Sequence, residues 1–441
     1  MNKNIPVNIP NKIYIIIILI YGNLFLGWSF QNLTISGIPI NEIVLILLLI
    51  SINVPRVLNE LRIVVNIFPF ILWLLYGLFL IFFGFIQHGI WALRDGSHVI
   101  DSFFLIIGFF LVSYKKNYDY FFTHIRKFAL VGLLYILLLP FSESIQNFIP
   151  KVSGVSGYNV GKSLFNYSSM SAIWIWLAFY TSINYTKIKD SFLYTKIIPF
   201  LFLIVPIILF QQRSTYISII GIMFFLMIFT KEKLTNKFLV FFLIFVIFIF
   251  IFSTINFEIE GRISNFSLGF LMEHIMSTFG YASERTLSST GTVDQRLLWL
   301  IEVIDNSFNS MTRFIFGNGF GEPLIEFGAT EGVIVREPHN AFLSIYGKMG
   351  LFGFIIWMWM HVSFFNAWRY CYRYTNLFNK IDEKKNLLGL IIFIIVTLIS
   401  GFTNSMFEQT WTCSVYYLLW GIILRINLNL HIDKIENYNK N

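Results

Sequence analysis

The chain has 441 residues, of which 56% are hydrophobic and 13% charged, against about 25% charged in an average soluble protein. A water-soluble domain needs a polar surface that this composition does not supply, so a soluble enzyme, a disordered chain and a disulfide scaffold are excluded and a polytopic membrane protein remains. The net charge of +8 does not point to nucleic acid, because Lys and Arg come in pairs and triplets between apolar segments, not in a basic stripe interleaved with aromatics.

In chain order, Asn2 to Asn11 are polar, and the first apolar run, Ile13 to Phe30, lacks a small-residue cleavage site and reads as a retained anchor. A span needs about 20 apolar residues. Twelve candidates centre near residues 22, 46, 75, 106, 134, 175, 203, 223, 247, 353, 394 and 418; the fourth, fifth, seventh and eighth are short or broken by polar residues. Basic residues accumulate in cytoplasmic segments of membrane proteins. With a cytoplasmic N-terminus, 22 of the 32 basic residues lie inside, while 16 of the 24 acidic residues lie outside. The expected architecture is all-α, a bundle of twelve transmembrane helices with both termini cytoplasmic. Spans one to nine fill residues 1–256, a large periplasmic loop with short helices fills 257–338, and spans ten to twelve with a cytoplasmic tail fill 339–441. No internal repeat of the kind found in transporters is visible.

Nucleotide and metal signals are poor. Gly157-Tyr-Asn-Val-Gly-Lys-Ser163 resembles a phosphate loop but has three residues between its glycines where four are needed. Gly317-Asn-Gly-Phe-Gly321 reads as a turn. Glu258 and Glu260 could hold a divalent ion or simply begin a solvated loop. Cys371 and Cys413 have no metal-ligand spacing. No cofactor and no metal are expected.

The informative residues are cations on the outer side. Arg213 occupies a short outer turn, where it either snorkels or binds something, and outer arginines are unusual. Arg296 follows Thr292-Val-Asp-Gln295, a capping-box pattern that places it in a first helical turn, where free N–H groups and a guanidinium suit phosphate. Leu297, Ile301, Ile304 and Phe308 would share that helix's apolar face. The alternative is an ordinary surface helix. His339, in Glu337-Pro-His-Asn340, falls at the start of span ten with Pro338 in the first turn; it is either structural or a general base, its reference pKa being about 6.5. Gly350 and Gly353 fall within about 40° of His339's direction on a continuous helix, where small residues permit close approach of a helix or a lipid chain.

His339-Asn340, nine residues, then Gly350-Leu-Phe-Gly353 resembles the His-Asn-x9-Gly-x-x-Gly signature of the O-antigen ligases and related O-antigen polymerases. Gln295-Arg-Leu-Leu-Trp299 with Phe316-Gly-Asn-Gly-Phe-Gly321 resembles the Arg-x-x-Trp and Gly-x-Gly-Phe-Gly stretch of that family's large outer loop, and Arg213-Ser-Thr resembles its Arg-Ser/Gly element. The resemblance covers roughly residues 160 to 425. It implies a metal-independent membrane glycosyltransferase of the bacterial inner membrane, active on the periplasmic face. Its donor is a glycan on undecaprenyl diphosphate, and its acceptor is a second glycan or the lipid A-core. Glycosyl transfer needs stabilisation of the leaving group's charge and a base for the acceptor hydroxyl; Arg213 and Arg296 fit the first role and His339 the second. Arg94, Arg285, Arg313 and Arg336 are further candidates for glycan or diphosphate contacts, and Glu337 could orient His339.

Within the resemblance, a polymerase joining lipid-linked repeat units is favoured over a ligase transferring finished polymer, because the outer face is net acidic and offers no general basic surface for a phosphorylated core. From another class, a transporter or lipid-linked glycan flippase would also have twelve spans, but it needs polar residues near the bilayer midplane, and the spans read as nearly free of them. By analogy with polymerase systems a chain-length regulator is a possible partner, beside membrane lipids and the glycans.

Overall fold

The computed structural model describes residues 10–31, 33–35, 38–137, 151–152, 162–163, 171–184, 208, 212–230, 243, 247, 259–260, 265–277, 287–325, 327–328 and 334–438. Among them the chain is all-helical apart from four small antiparallel hairpins. The helices are α1 (Pro10–Leu26), α2 (Trp28–Gln31), α3 (Ile40–Ile50), α4 (Val54–Leu61), α5 (Phe68–His88), α6 (Ile90–Asp95), α7 (Ser97–Asp101), α8 (Phe104–Leu111) and α9 (Lys115–Leu137). There follow α10 (Ser171–Asn184), α11 (Arg213–Thr230), α12 (Leu268–Met276), α13 (Leu287–Phe308), α14 (Met311–Phe316), α15 (Ala341–Leu377), α16 (Ile381–Gly401) and α17 (Thr410–Tyr438).

Four of these, α5, α15, α16 and α17, are long and apolar enough to cross a membrane. The number rises to six if each of two bent pairs is one span: α3 with α4, bent by 86°, and the α7–α8 stretch with α9, bent by 119°. The expected spans near residues 22, 175 and 223 appear as the shorter helices α1, α10 and α11. Those near 203 and 247 lie outside the described residues, apart from isolated positions.

The bundle is built around α17, whose apolar window is 94% buried. It packs on α8 through two glycines. A Cβ on Gly108 would stand 2.0 Å from the Leu418 carbonyl oxygen, and one on Gly421 2.0 Å from that of Leu105, so only glycine permits this backbone approach. In contrast, α5 leaves Phe79, Phe82 and Phe83 exposed, and α15 leaves Phe352, Ile355 and Trp359 exposed. Such faces suit contact with lipid.

The spans carry more buried polarity than the sequence led us to expect. Asn23 and Asn41 exchange amide hydrogen bonds at 3.0 and 2.9 Å, and His98, Asp101 and His361 are buried. Neutral amides that satisfy each other can be buried at small cost, so a search for charged runs passes over them.

Ionic contacts fall into separate groups. Arg425 pairs with Glu60, and Lys380 with Asp433, each at 2.5 Å. Asp95, Arg336, Glu337 and Lys348 meet elsewhere.

Candidate functional site

The site begins with α13. It starts at Leu287, so the helix runs through the expected cap at Thr292 and Arg296 lies in its third turn. The reading of Arg296 beside free N-terminal N–H groups is thereby corrected. Gly291 costs about 1 kcal/mol relative to alanine but does not stop a helix, and no proline intervenes. The expected apolar face is present, but protein does not cover most of it. Among the described side chains of α13, Trp299, Val303 and Ser307, at i, i+4 and i+8, are buried and Ile304 is half-buried, while Leu297, Ile301 and Phe308 face outward. Trp299 and Val303 form a small core with Leu324, Ile325 and Leu343. The Trp299 ring also meets that of His339 edge-on, with centroids 5.5 Å apart.

Helix α15 starts at Ala341, with Asn340 as its cap. The Asn340 side-chain oxygen accepts from the Phe342 and Leu343 N–H groups, both at 3.1 Å. Pro338 and His339 therefore precede the helix, where the sequence placed proline in its first turn. Gly350 breaks α15 with φ +65°, so the helical-wheel relation of Gly350 and Gly353 to His339 does not hold across it. The close-approach role takes another form. A Cβ on Gly350 would lie 2.3 Å from the Ile315 carbonyl oxygen, and one on Gly317 2.3 Å from that of Lys348. The carbonyls freed by the break are bonded from outside the helix. Asn318 N–H donates to Gly347 O at 2.8 Å, Gly319 N–H to Lys348 O at 2.9 Å, and the Tyr76 hydroxyl to Met349 O at 3.0 Å. The Gly317–Gly321 turn is thus the complement of the helix break. Gly353 packs against the Tyr76 ring.

Below this joint lies a buried ionic cluster. The Lys348 ammonium donates to Asp95 Oδ2 at 2.9 Å and to Glu322 O at 2.7 Å, and pairs with Glu337 Oε1 at 2.8 Å. Asp95 Oδ2 also accepts from Gly321 N–H at 3.2 Å and from Arg336 at 3.4 Å. Arg336 donates to Gly321 O at 2.6 Å and stacks over Trp91 at 4.4 Å, with Arg94 over the same ring at 5.0 Å. Burial raises the Glu337 carboxyl above its ordinary range; Lys348 opposes this, and Asp95 adds to it. Glu337 thus engages Lys348 where the sequence reading had it orienting His339. Arg313 pairs with Glu322 at 3.5 Å. Arg285 lies outside the described residues.

Arg213 opens α11. Its guanidinium donates to Ser277 Oγ at 3.0 Å, and Ser277 in turn donates to His274 O at 2.8 Å. His274 is buried and stacks on Phe270. Burial and the Arg213 charge lower its pKa to about 4, so its imidazole is neutral.

Electrostatics link the three residues singled out from the sequence. Solvent reaches Arg296 and His339, yet the surrounding protein strips enough water to shift both, as in a recess. Desolvation and then Arg213 lower the proton affinity of Arg296; desolvation and then Arg296 lower that of His339. Arg213 is therefore close enough to influence Arg296, and Arg296 close enough to influence His339. The sequence reading missed Lys348, Asp95, Trp91, His274 and Ser277. Only Lys348 gave a usable signal, since a lysine within an apolar helix calls for a partner.

The fold defines a helical integral membrane protein. Residues 198–358 match the family model described as O-antigen ligase. That stretch contains Arg213, Arg296, His339 and Gly353, and it supports the O-antigen ligase and polymerase superfamily. No curated protein matches the chain.

Proposed function

We propose that the protein is a polymerase of undecaprenyl-diphosphate-linked oligosaccharide repeat units, making a surface polysaccharide by inverting glycosyl transfer without a metal. The observation that carries this reading is the electrostatic reach of Arg213 to Arg296 and of Arg296 to His339, beside the ring contact of Trp299 on α13 with His339. A lipid diphosphate has the charge and the bidentate geometry to engage two guanidiniums. Desolvation and then Arg296 lower the proton affinity of His339, which favours the neutral imidazole that can accept a proton.

In the proposed step the acceptor hydroxyl attacks the anomeric carbon and its proton passes to His339. The bond to the diphosphate oxygen breaks, and the charge growing there is met by Arg213 and Arg296. The twelve-span count, the periplasmic placing of residues 257–338 and the cytoplasmic termini belong to this proposal. They rest on the charge distribution along the sequence. The contacts among Asp95, Arg336, Glu337 and Lys348, all on one side in that scheme, agree with it.

The test is glycan transfer by the purified protein in nanodiscs, supplied with lipid-linked repeat units and no other enzyme. His339→Ala should lower transfer by a factor of about 100 or more, the usual worth of a general base, at unchanged protein level. Full activity in that variant would overturn the assignment. Deletion in cells separates the activities: loss of a polymerase leaves core bearing single repeat units, and loss of a ligase leaves bare core.

A further inference from the structure

We infer that α13 and α14 lie on the bilayer surface at the end that carries the site, with the outward face of α13 embedded among lipid chains. In a polar segment between spans, an outward apolar face is unexpected. Leu297, Leu298, Ile301 and Phe308 are 55%, 65%, 46% and 68% exposed, and at 100° per residue they share one arc of α13. Met311 and Phe316 extend it along α14 at 72% and 47%. This exceeds the scattered surface hydrophobes that need no explanation.

Continuity identifies the occupant. Phe316 meets Phe352 of α15 with ring centroids 6.3 Å apart, and Phe352 meets Tyr76 of α5 at 5.1 Å. Both helices pass the length and hydropathy test for spans, and their exposed Phe79, Phe83, Ile355 and Trp359 form the face that lipid must cover. Phe314 of α14 then contacts Phe308 of α13 at 5.2 Å. The lipid-facing surface of the spans thus runs without a break onto α14 and α13. Asp305, exposed on the same side of α13, limits the depth to the interface, where amphipathic helices bury their apolar face about 5–10 Å. Arg296 falls in the arc of Trp299, Val303 and Ser307 on the other side of α13, turned towards the protein and away from that face.

Cys371 and Cys413 are buried, so single cysteines introduced on α13 can be spin-labelled against a silent background. Labels at Leu297→Cys, Ile301→Cys and Phe308→Cys, in nanodiscs of phosphatidylethanolamine and phosphatidylglycerol, should collide several-fold more with oxygen than with a water-soluble nickel chelate, and Glu302→Cys on the flank should show the reverse. Preference for the nickel chelate at the three positions would overturn the inference. So would protection from both reagents with dipolar broadening, the sign of a second copy on this face. The measurement reads no activity, so its failure is separate from failure of the His339 test.

Discussion

At the residue scale, His339 has a consequence for pH. Its folded pKa is depressed, first by desolvation and then by Arg296, so the neutral base persists as pH falls through the ordinary histidine value near 6.5 and is lost only further down. The acidic limb of kcat/KM against pH, which reports groups of the free enzyme, should therefore lie below 6.5. Arg296→Gln removes a cation and should move the limb upward, measured on whatever activity remains. An unmoved limb would separate the two residues. Ser277 offers a second test. Its hydroxyl hydrogen goes to His274 O, which turns an oxygen lone pair to Arg213. Hydrogen bonds to charged groups contribute about 1.5–3 kcal/mol, and half-exposed Arg213 belongs at the lower end. Ser277→Ala should raise the KM for the lipid-linked donor about tenfold with little loss of folded protein.

At the element scale, α15 and the Gly317–Gly321 turn form one joint. Gly350 and Gly317 both have positive φ and backbone atoms where a Cβ would stand, whereas Gly319 has φ +81° and open space. Alanine at Gly319 meets only the cost of a left-handed conformation, about 1–2 kcal/mol. Gly350→Ala and Gly317→Ala add a clash with a carbonyl oxygen that cannot rotate away. Thermal unfolding in detergent should show both well below Gly319→Ala; equal losses would mean that the joint opens freely. Much of this region was legible in order but not in arrangement. The motif His339-Asn340…Gly350 is visible in the sequence because polar residues and glycines stand out in an apolar chain. That Gly350 breaks the helix was not, since glycine is also tolerated within helices and only the partner loop decides. The apolar face of α13 was legible, but what covers it was not, for a related reason. Leu297, Ile301 and Phe308 do follow a helical period, but periodicity reports an apolar face and not whether protein or lipid covers it.

At the scale of the whole molecule, the ionic cluster ties distant parts of the chain. Asp95 and Lys348 are 253 residues apart, and both side chains are nearly inaccessible, at 3% and 2%. No local pattern could have paired them, because their proximity depends on α5 and α15 packing together and on the joint at Gly350 turning Lys348 towards α6. The cluster joins α6, the Gly317–Gly321 turn, the Arg336–Asn340 segment and α15, so it sets where His339 stands. Its energetics are asymmetric. Lys348 answers two carboxylates, Asp95 and Glu337; its removal leaves buried charge unmatched, which costs about 3–5 kcal/mol when a buried pair is broken from one side. Asp95→Asn leaves Lys348 still paired with Glu337, and its amide oxygen can go on accepting from Gly321 N–H, so its cost should be smaller. Lys348→Met should therefore lower the thermal midpoint more than Asp95→Asn. The double variant should fall short of the sum of the two, because the pair is lost only once. If Lys348→Met unfolded no earlier than the parent, the cluster would not hold the site together, and the position of His339 would have to be set by Trp299 and the Asn340 cap alone.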